Sequence, residues 1–213
     1  MRQIDLDSWP RRDHYEFFRG FDHPHFSMCA NVDVTEFCPY VKSHGISFTV
    51  GIVYLMARAA NAIPEFRRRL REEGVIEHDV VHPSYTLLVD QDLFSFCTVP
   101  YQADFSSFAV VAAEQIESVK AAQTLADPGR DDLLYMTAIP WVSFTSFNHP
   151  MHYHPADSVP RFAWGKVFVQ GERQLMPLDV LGHHALMDGL HVGRYYTEIQ
   201  DYLDNIGSVL GTD

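Results

Sequence analysis

The sequence predicts an α/β protein built as a two-layer sandwich, with a mixed, largely antiparallel sheet covered by helices on one face. Short segments rich in Val, Tyr, Phe and Thr come in runs separated by turn residues, which favours antiparallel pairing over repeated βαβ units. Two stretches, Ser47 to Ile63 and Phe105 to Thr124, carry apolar residues at helical spacing over lengths that strands do not reach. The 213 residues, 46% apolar and 21% charged, suit one globular domain spanning 1–213.

The elements follow in order. Asp7 or Ser8 is placed to cap a first helix through Arg12 to Arg19, with Gly20 closing it. A strand is expected from Phe26 to Val34, then a short helix from Thr35 to near Gly45. The run from Ser47 to Ile63 reads as the central buried helix, stopped by Pro64. Val75 to His78, Ser84 to Val89 and Leu93 to Val99 read as an antiparallel meander. After the second long helix, Ala126 to Asp132 is a loop. Strands at Leu133 to Ile139, Arg161 to Gln170 and Gln174 to Leu181 complete the sheet, with Gly171-Glu172-Arg173 as a hairpin turn.

Composition excludes several function classes. With 28 acidic against 16 basic residues the net charge is -12, so no nucleic-acid surface is expected. Cys29, Cys38 and Cys97 are odd in number and lack metal-type spacing, which suits packing thiols in a reducing compartment. The charged opening and the lack of any long uninterrupted apolar stretch predict a soluble, cytoplasmic protein without membrane association.

The chemistry concentrates in Leu181-Gly182-His183-His184-Ala185-Leu186-Met187-Asp188-Gly189-Leu190-His191. It lies between the last strand and a helix whose apolar residues Val192, Tyr195, Tyr196, Ile199, Tyr202 and Leu203 recur at three and four. A strand-to-helix junction exposes side chains on a rigid scaffold, and imidazole takes and returns a proton near neutrality. The plainer alternative is two polar turn residues, with Asp188 capping the helix. His149-Pro150-Met151-His152-Tyr153-His154 has the spacing of a metal site, but its prolines make it a loop and no acidic or thiol ligand adjoins it. It is therefore read as non-metal.

Five blocks in order carry a family resemblance: Trp9-Pro10-Arg11-Arg12-Asp13-His14, Asn61-Ala62-Ile63-Pro64-Glu65-Phe66-Arg67, His82-Pro83-Ser84-Tyr85-Thr86, Pro140-Trp141-Val142-Ser143-Phe144-Thr145-Ser146-Phe147, and the His184 segment. Over nearly its whole length the chain resembles the trimeric chloramphenicol acetyltransferases, within the CoA-dependent acyltransferases marked by His-x-x-x-Asp-Gly. The resemblance implies that fold, direct acetyl transfer from acetyl-CoA as cosubstrate, no bound cofactor, and a homotrimer with sites between subunits. It implies that His184 is the general base, with its ring held in one tautomer, and that Ser146 donates to the oxyanion. It further implies that Asp188 pairs with Arg11 to hold the site's shape, and that Lys166 attracts CoA phosphates. His183 is read as structural, and Gly189 as a residue needed for space in the turn after Asp188.

The chain departs from the family at Leu181, Gly182, Leu190 and Ala163, and around Gly20 to His25 and Phe96, regions tied by the resemblance to acceptor binding. Chloramphenicol is the leading acceptor, walled by aromatics such as Phe18, Phe21, Phe26, Phe94 and Phe96. The alternatives are another hydroxyl compound, a dihydrolipoyl acyltransferase core, which usually reads Asp-His-Arg in this motif, and a non-catalytic binding protein on the same fold.

Overall fold

The computed structural model describes residues 1–90, 92–125, 129–153 and 157–211. Its main sheet has seven strands: β2 (His25–Asp33), β5 (His82–Leu88), β6 (Phe94–Thr98), β7 (Leu133–Ile139), β8 (Arg161–Gly165), β9 (Phe168–Gln170) and β10 (Arg173–His183). The order is β2-β10-β8-β7-β5-β6, with β9 paired to β10. Pairing is antiparallel except for β5 with β7 and β7 with β8, so the sheet is mixed and largely antiparallel.

The helices are α1 (Arg12–Phe18), α2 (Phe37–Ser43), α3 (Phe48–Ala62), α4 (Phe105–Ala122), α5 (Gly189–Asp204) and α6 (Ile206–Leu210). Ser47 caps α3 by accepting the Val50 N–H, and the run from Val50 to Ala57 is buried on every side, as a central helix requires. Asp104 caps α4 through the Ser107 N–H at 2.8 Å. Alternation along the strands sends Tyr85, Cys97, Met136, Phe162, Leu178 and Val180 into the core shared with these helices. Thr86, Phe96, Tyr135, Arg161, Asp179 and His183 therefore project from the other face.

Several expectations need correction. Val75 to His78 does not join the meander; as β4 (Gly74–Glu77) it forms a separate three-stranded sheet with β1 (Arg2–Gln3) and β3 (Arg68–Arg71). Arg69 of β3, fully buried, donates to the carbonyls of Asp131 and Leu133 at 2.6 Å each and so clips this sheet to the start of β7. The strand expected over Arg161 to Gln170 breaks in two. A Cβ on Gly165 would lie 2.6 Å from Pro177 Cγ and 2.9 Å from the Val142 carbonyl, so packing is tight there, and the Lys166 N–H leaves the ladder to bond Val142. Neither Asp7 nor Ser8 caps α1, which starts after Arg11; Asp7 binds the Arg12 side chain and Ser8 binds Asp5. Helix α6 had no periodic signal, being only five residues long.

Candidate active site

His183 ends β10 and pairs across the sheet with His25, so His184 is the first residue of the turn that leads to α5. Three contacts hold His184. Its N–H donates to the Pro24 carbonyl at 2.8 Å, and its own carbonyl accepts Nη2–H of Arg11 at 2.8 Å. Its ring stacks on Phe18 with centroids 4.0 Å apart and planes 6° from parallel, and Phe26 lies at 4.8 Å. The Nδ1 atom is buried and has no hydrogen-bond partner among the described residues.

A small second core explains why α1 reaches this turn. Tyr15, Val75, Ala185 and Leu186 are buried together, with Ile4, Leu6, Trp9, Phe18 and Leu70 packed against them. Burying these side chains at about 25 cal/mol per Å² draws α1, the small sheet and the His184 turn into one unit. Arg11 and Phe18, at the two ends of α1, are thereby both delivered to His184, one to its carbonyl and the other to its ring.

Asp188 has two roles at once. It is the N-cap of α5, where Oδ1 accepts the Leu190 N–H at 3.0 Å, and its Oδ2 accepts Nη1–H of Arg11 at 2.7 Å. Burial works against the carboxylate, but the Arg11 bond, the nearby His191 and the Leu190 N–H together hold its pKa below the usual range. His191 closes a capping box: its Nδ1 accepts the Asp188 N–H at 3.1 Å, and its Nε2 lies 3.7 Å from Glu65. Sequence reading passed over His191, although a capping residue three places after an Asp N-cap is a recognisable signal. Gly189 is not demanded by space, since a Cβ there would meet nothing within 4 Å. Space is tighter at Gly182, where a Cβ would lie 2.8 Å from Met187 Cγ, so a larger residue there would require the buried Met187 side chain to move.

His183 turns away from His184 to the sheet's open face. It is 1% exposed, its ring meets His25 edge-on at 5.0 Å, and burial, aided by the charge of His25, pushes its pKa down to about 3. It is a neutral packing group at ordinary pH. His25 in turn donates from Nε2 to the Asp157 carbonyl at 2.5 Å.

The other expected site residues are not gathered around His184 within one chain. Ser146 is exposed in the loop after β7 and makes no hydrogen bond among the described residues. Lys166, also exposed, is tied to that loop by its backbone N–H to the Val142 carbonyl at 2.9 Å. Phe18, Phe21 and Phe26 cluster on the His184 side, whereas Phe94 and Phe96 pair edge-to-face at 5.7 Å in the wall of a cavity that His184 does not line. His149 is buried against Asp179 and His152 is exposed; no group of metal-ligating side chains forms among the described residues, and His154 lies outside them. Among the described residues, no helix is long and apolar enough to cross a membrane.

The fold is shared with acyltransferases. A dihydrolipoamide acetyltransferase from Azotobacter vinelandii superposes with a TM-score of 0.69 at 18% identity, over 99% of this chain and 94% of that one. The likeness tightens within one family. The family model for chloramphenicol acetyltransferase matches residues 1–200, and a solved chloramphenicol acetyltransferase superposes with a TM-score of 0.85 at 28% identity, over 95% of this chain and 100% of that one. Chloramphenicol acetyltransferases of Proteus mirabilis and Klebsiella are 34% and 32% identical, each across 94% of this chain and 94% and 93% of theirs. The chain belongs to the chloramphenicol acetyltransferase family.

Proposed function

We propose that the protein is an acetyl-CoA-dependent O-acetyltransferase that acetylates chloramphenicol or a related small hydroxyl compound, with His184 as general base. The observation that carries this reading is the fixing of His184: a stacked ring, an anchored N–H and an anchored carbonyl leave an imidazole with a set direction at a strand end. A hydroxyl is a weak nucleophile, and a positioned base accelerates its attack by roughly 10²- to 10⁴-fold.

His184 accepts the hydroxyl proton as the acceptor oxygen bonds to the thioester carbonyl carbon. The resulting oxyanion takes a hydrogen bond from Ser146 Oγ. When the tetrahedral intermediate collapses, the C–S bond breaks, and His184 returns its proton to the CoA sulfur. No acyl-enzyme forms, so none of the three cysteines is used. Arg11 and Asp188 hold the turn that carries His184, and Lys166 offers its charge to the CoA phosphates.

The separation of groups in one chain supports a homotrimer with sites between subunits. His184 lies with Phe18 and Phe26, while Ser146 is exposed and unbonded among the described residues and the Phe94–Phe96 cavity is one that His184 does not line. A neighbouring copy that brings its cavity to His184 completes a site that one chain leaves open.

The test is thiol release from acetyl-CoA with chloramphenicol, run on the wild type and His184→Ala. The expected result is saturable turnover by the wild type and a loss of at least about 10²-fold in the variant. Release no faster than the drug-free blank from folded protein moves the acceptor to another hydroxyl compound, and equal turnover by the variant removes His184 as base. Sedimentation of the active species reads the trimer, and an active monomer would refute it.

A further inference from the structure

The turn that carries His184 has a support beyond Arg11 and Asp188. His191, in the first turn of α5, is buried, and its ring lies between two carboxylates, one close in sequence and one distant. The close one is Asp188, the N-cap of the same helix. The distant one is Glu65, on the short helical turn Pro64–Arg67 that follows α3.

The two ring nitrogens face different chemistry. Nε2 has Oε1 of Glu65 at 3.7 Å. A carboxylate beside one nitrogen of an imidazole favours the proton on that nitrogen and leaves the other as an acceptor. Nδ1 accepts the Asp188 N–H at 3.1 Å and lies 2.9 Å from Asp188 Oδ1. A proton on Nδ1 would instead be donated to Oδ1, which already takes the Leu190 N–H, and the Asp188 N–H would lose its acceptor. The place of one proton thus decides whether the ring holds the backbone of Asp188.

Glu65 is itself held. It accepts Nη1–H of Arg68 at 2.7 Å, and Arg68 donates Nε–H to Glu77 at 3.1 Å, so the carboxylate facing His191 is tied to the small sheet. On the far side of the ring, Asp188 meets Arg11 at 2.7 Å and Arg11 meets the His184 carbonyl at 2.8 Å. A shift of Asp188 is therefore passed to His184, and a misplacement of about 1 Å can cost about 10²-fold in rate.

We propose that His191, with its tautomer set by Glu65, is a positioning residue for acetyl transfer that acts through Asp188 and Arg11 to hold His184. The kinetic part rests on the acetyl-transfer reading, whereas the tautomer is read without turnover.

The experiment combines acetyl transfer from acetyl-CoA to chloramphenicol with long-range proton–nitrogen NMR of the imidazoles, on full-length wild type, His191→Leu, His191→Gln and Glu65→Leu. The wild-type spectrum should show His191 protonated on Nε2 alone, and Glu65→Leu should show a mixture of tautomers. His191→Leu should lower kcat by about 10- to 10²-fold with little change in either KM. His191→Gln should recover most of that loss, because a glutamine oxygen three residues after the cap can accept the same N–H. A merely structural role would lower the melting temperature and leave kcat per folded molecule unchanged. Should His191→Leu fail to fold, His191→Gln, Glu65→Leu and the spectra still decide the matter. A proton on Nδ1 of His191 in the wild type, an unchanged kcat in folded His191→Leu, or a loss confined to KM overturns the proposal. The expected tautomer, lost in Glu65→Leu but with no thiol release by the wild type, would count against the acetyl-transfer reading while upholding the pairing of Glu65 with His191.

Discussion

Arg11 and Asp188 lie 177 residues apart, and their replacement gives the sharpest test of how the His184 turn is held. Arg11→Ala removes a hydrogen bond of 2.7 Å to Asp188 and another of 2.8 Å to the His184 carbonyl. Hydrogen bonds to charged groups contribute about 1.5 to 3 kcal/mol each when buried. Asp188 is 30% exposed and keeps the Leu190 N–H, which lowers the cost of stranding it. A loss of about 2 to 3 kcal/mol follows, or about 4 to 12 °C in melting temperature for a chain of this size. Asp188→Ala should cost more, about 3 to 4 kcal/mol. It leaves Arg11, only 11% exposed, without its counter-charge and also removes a helix cap worth about 1 kcal/mol. The pair can be lost only once, so the double variant should fall short of the summed losses by about 1 to 3 kcal/mol. Urea denaturation of the four proteins, with acetyl transfer measured alongside, reads both quantities. Losses that add within about 0.5 kcal/mol would show that the two residues act independently, and the account of the turn would be wrong.

Ser146→Ala should lower kcat by about 10²- to 10³-fold while leaving the melting temperature and the affinity for acetyl-CoA unchanged, since the side chain is exposed and unbonded among the described residues. A loss confined to KM would assign it to positioning instead. Acid should destabilise the protein through His183, whose folded pKa of about 3 lies below the unfolded value of about 6.5. Above the unfolded value both states are neutral; below it only the unfolded chain binds the proton, so stability falls steadily down to about pH 3, by roughly 4 kcal/mol in all. His25, His78 and His82, each lowered chiefly by burial, act in the same direction. Urea stability measured from pH 7 to 4 should decline less steeply in His183→Asn, and an unchanged slope would show that His183 is not the group responsible.

Local pattern made much of this protein legible in its sequence. The long helices α3 and α4 were bounded within two residues because a 3.6-residue period, and for α3 the stop at Pro64, are written in neighbouring positions. The last strand, the His184 turn and α5 could be read for the same reason, and five ordered blocks pointed to the family. Tertiary packing decided the rest. Val75 to His78 has the look of any short strand, and only its pairing with β1 and β3 places it in a second sheet. The cap that Asp188 places on α5 is written locally, with His191 three residues on, but the arginine it meets arrives only because the Tyr15–Leu186 core brings α1 against the turn. The apposition of His149 with Asp179 likewise depends on a loop crossing the open face of the sheet. Periodicity and capping act over one or two turns of chain, whereas the partners of a buried charge come from wherever packing folds the chain back, and no local pattern records that.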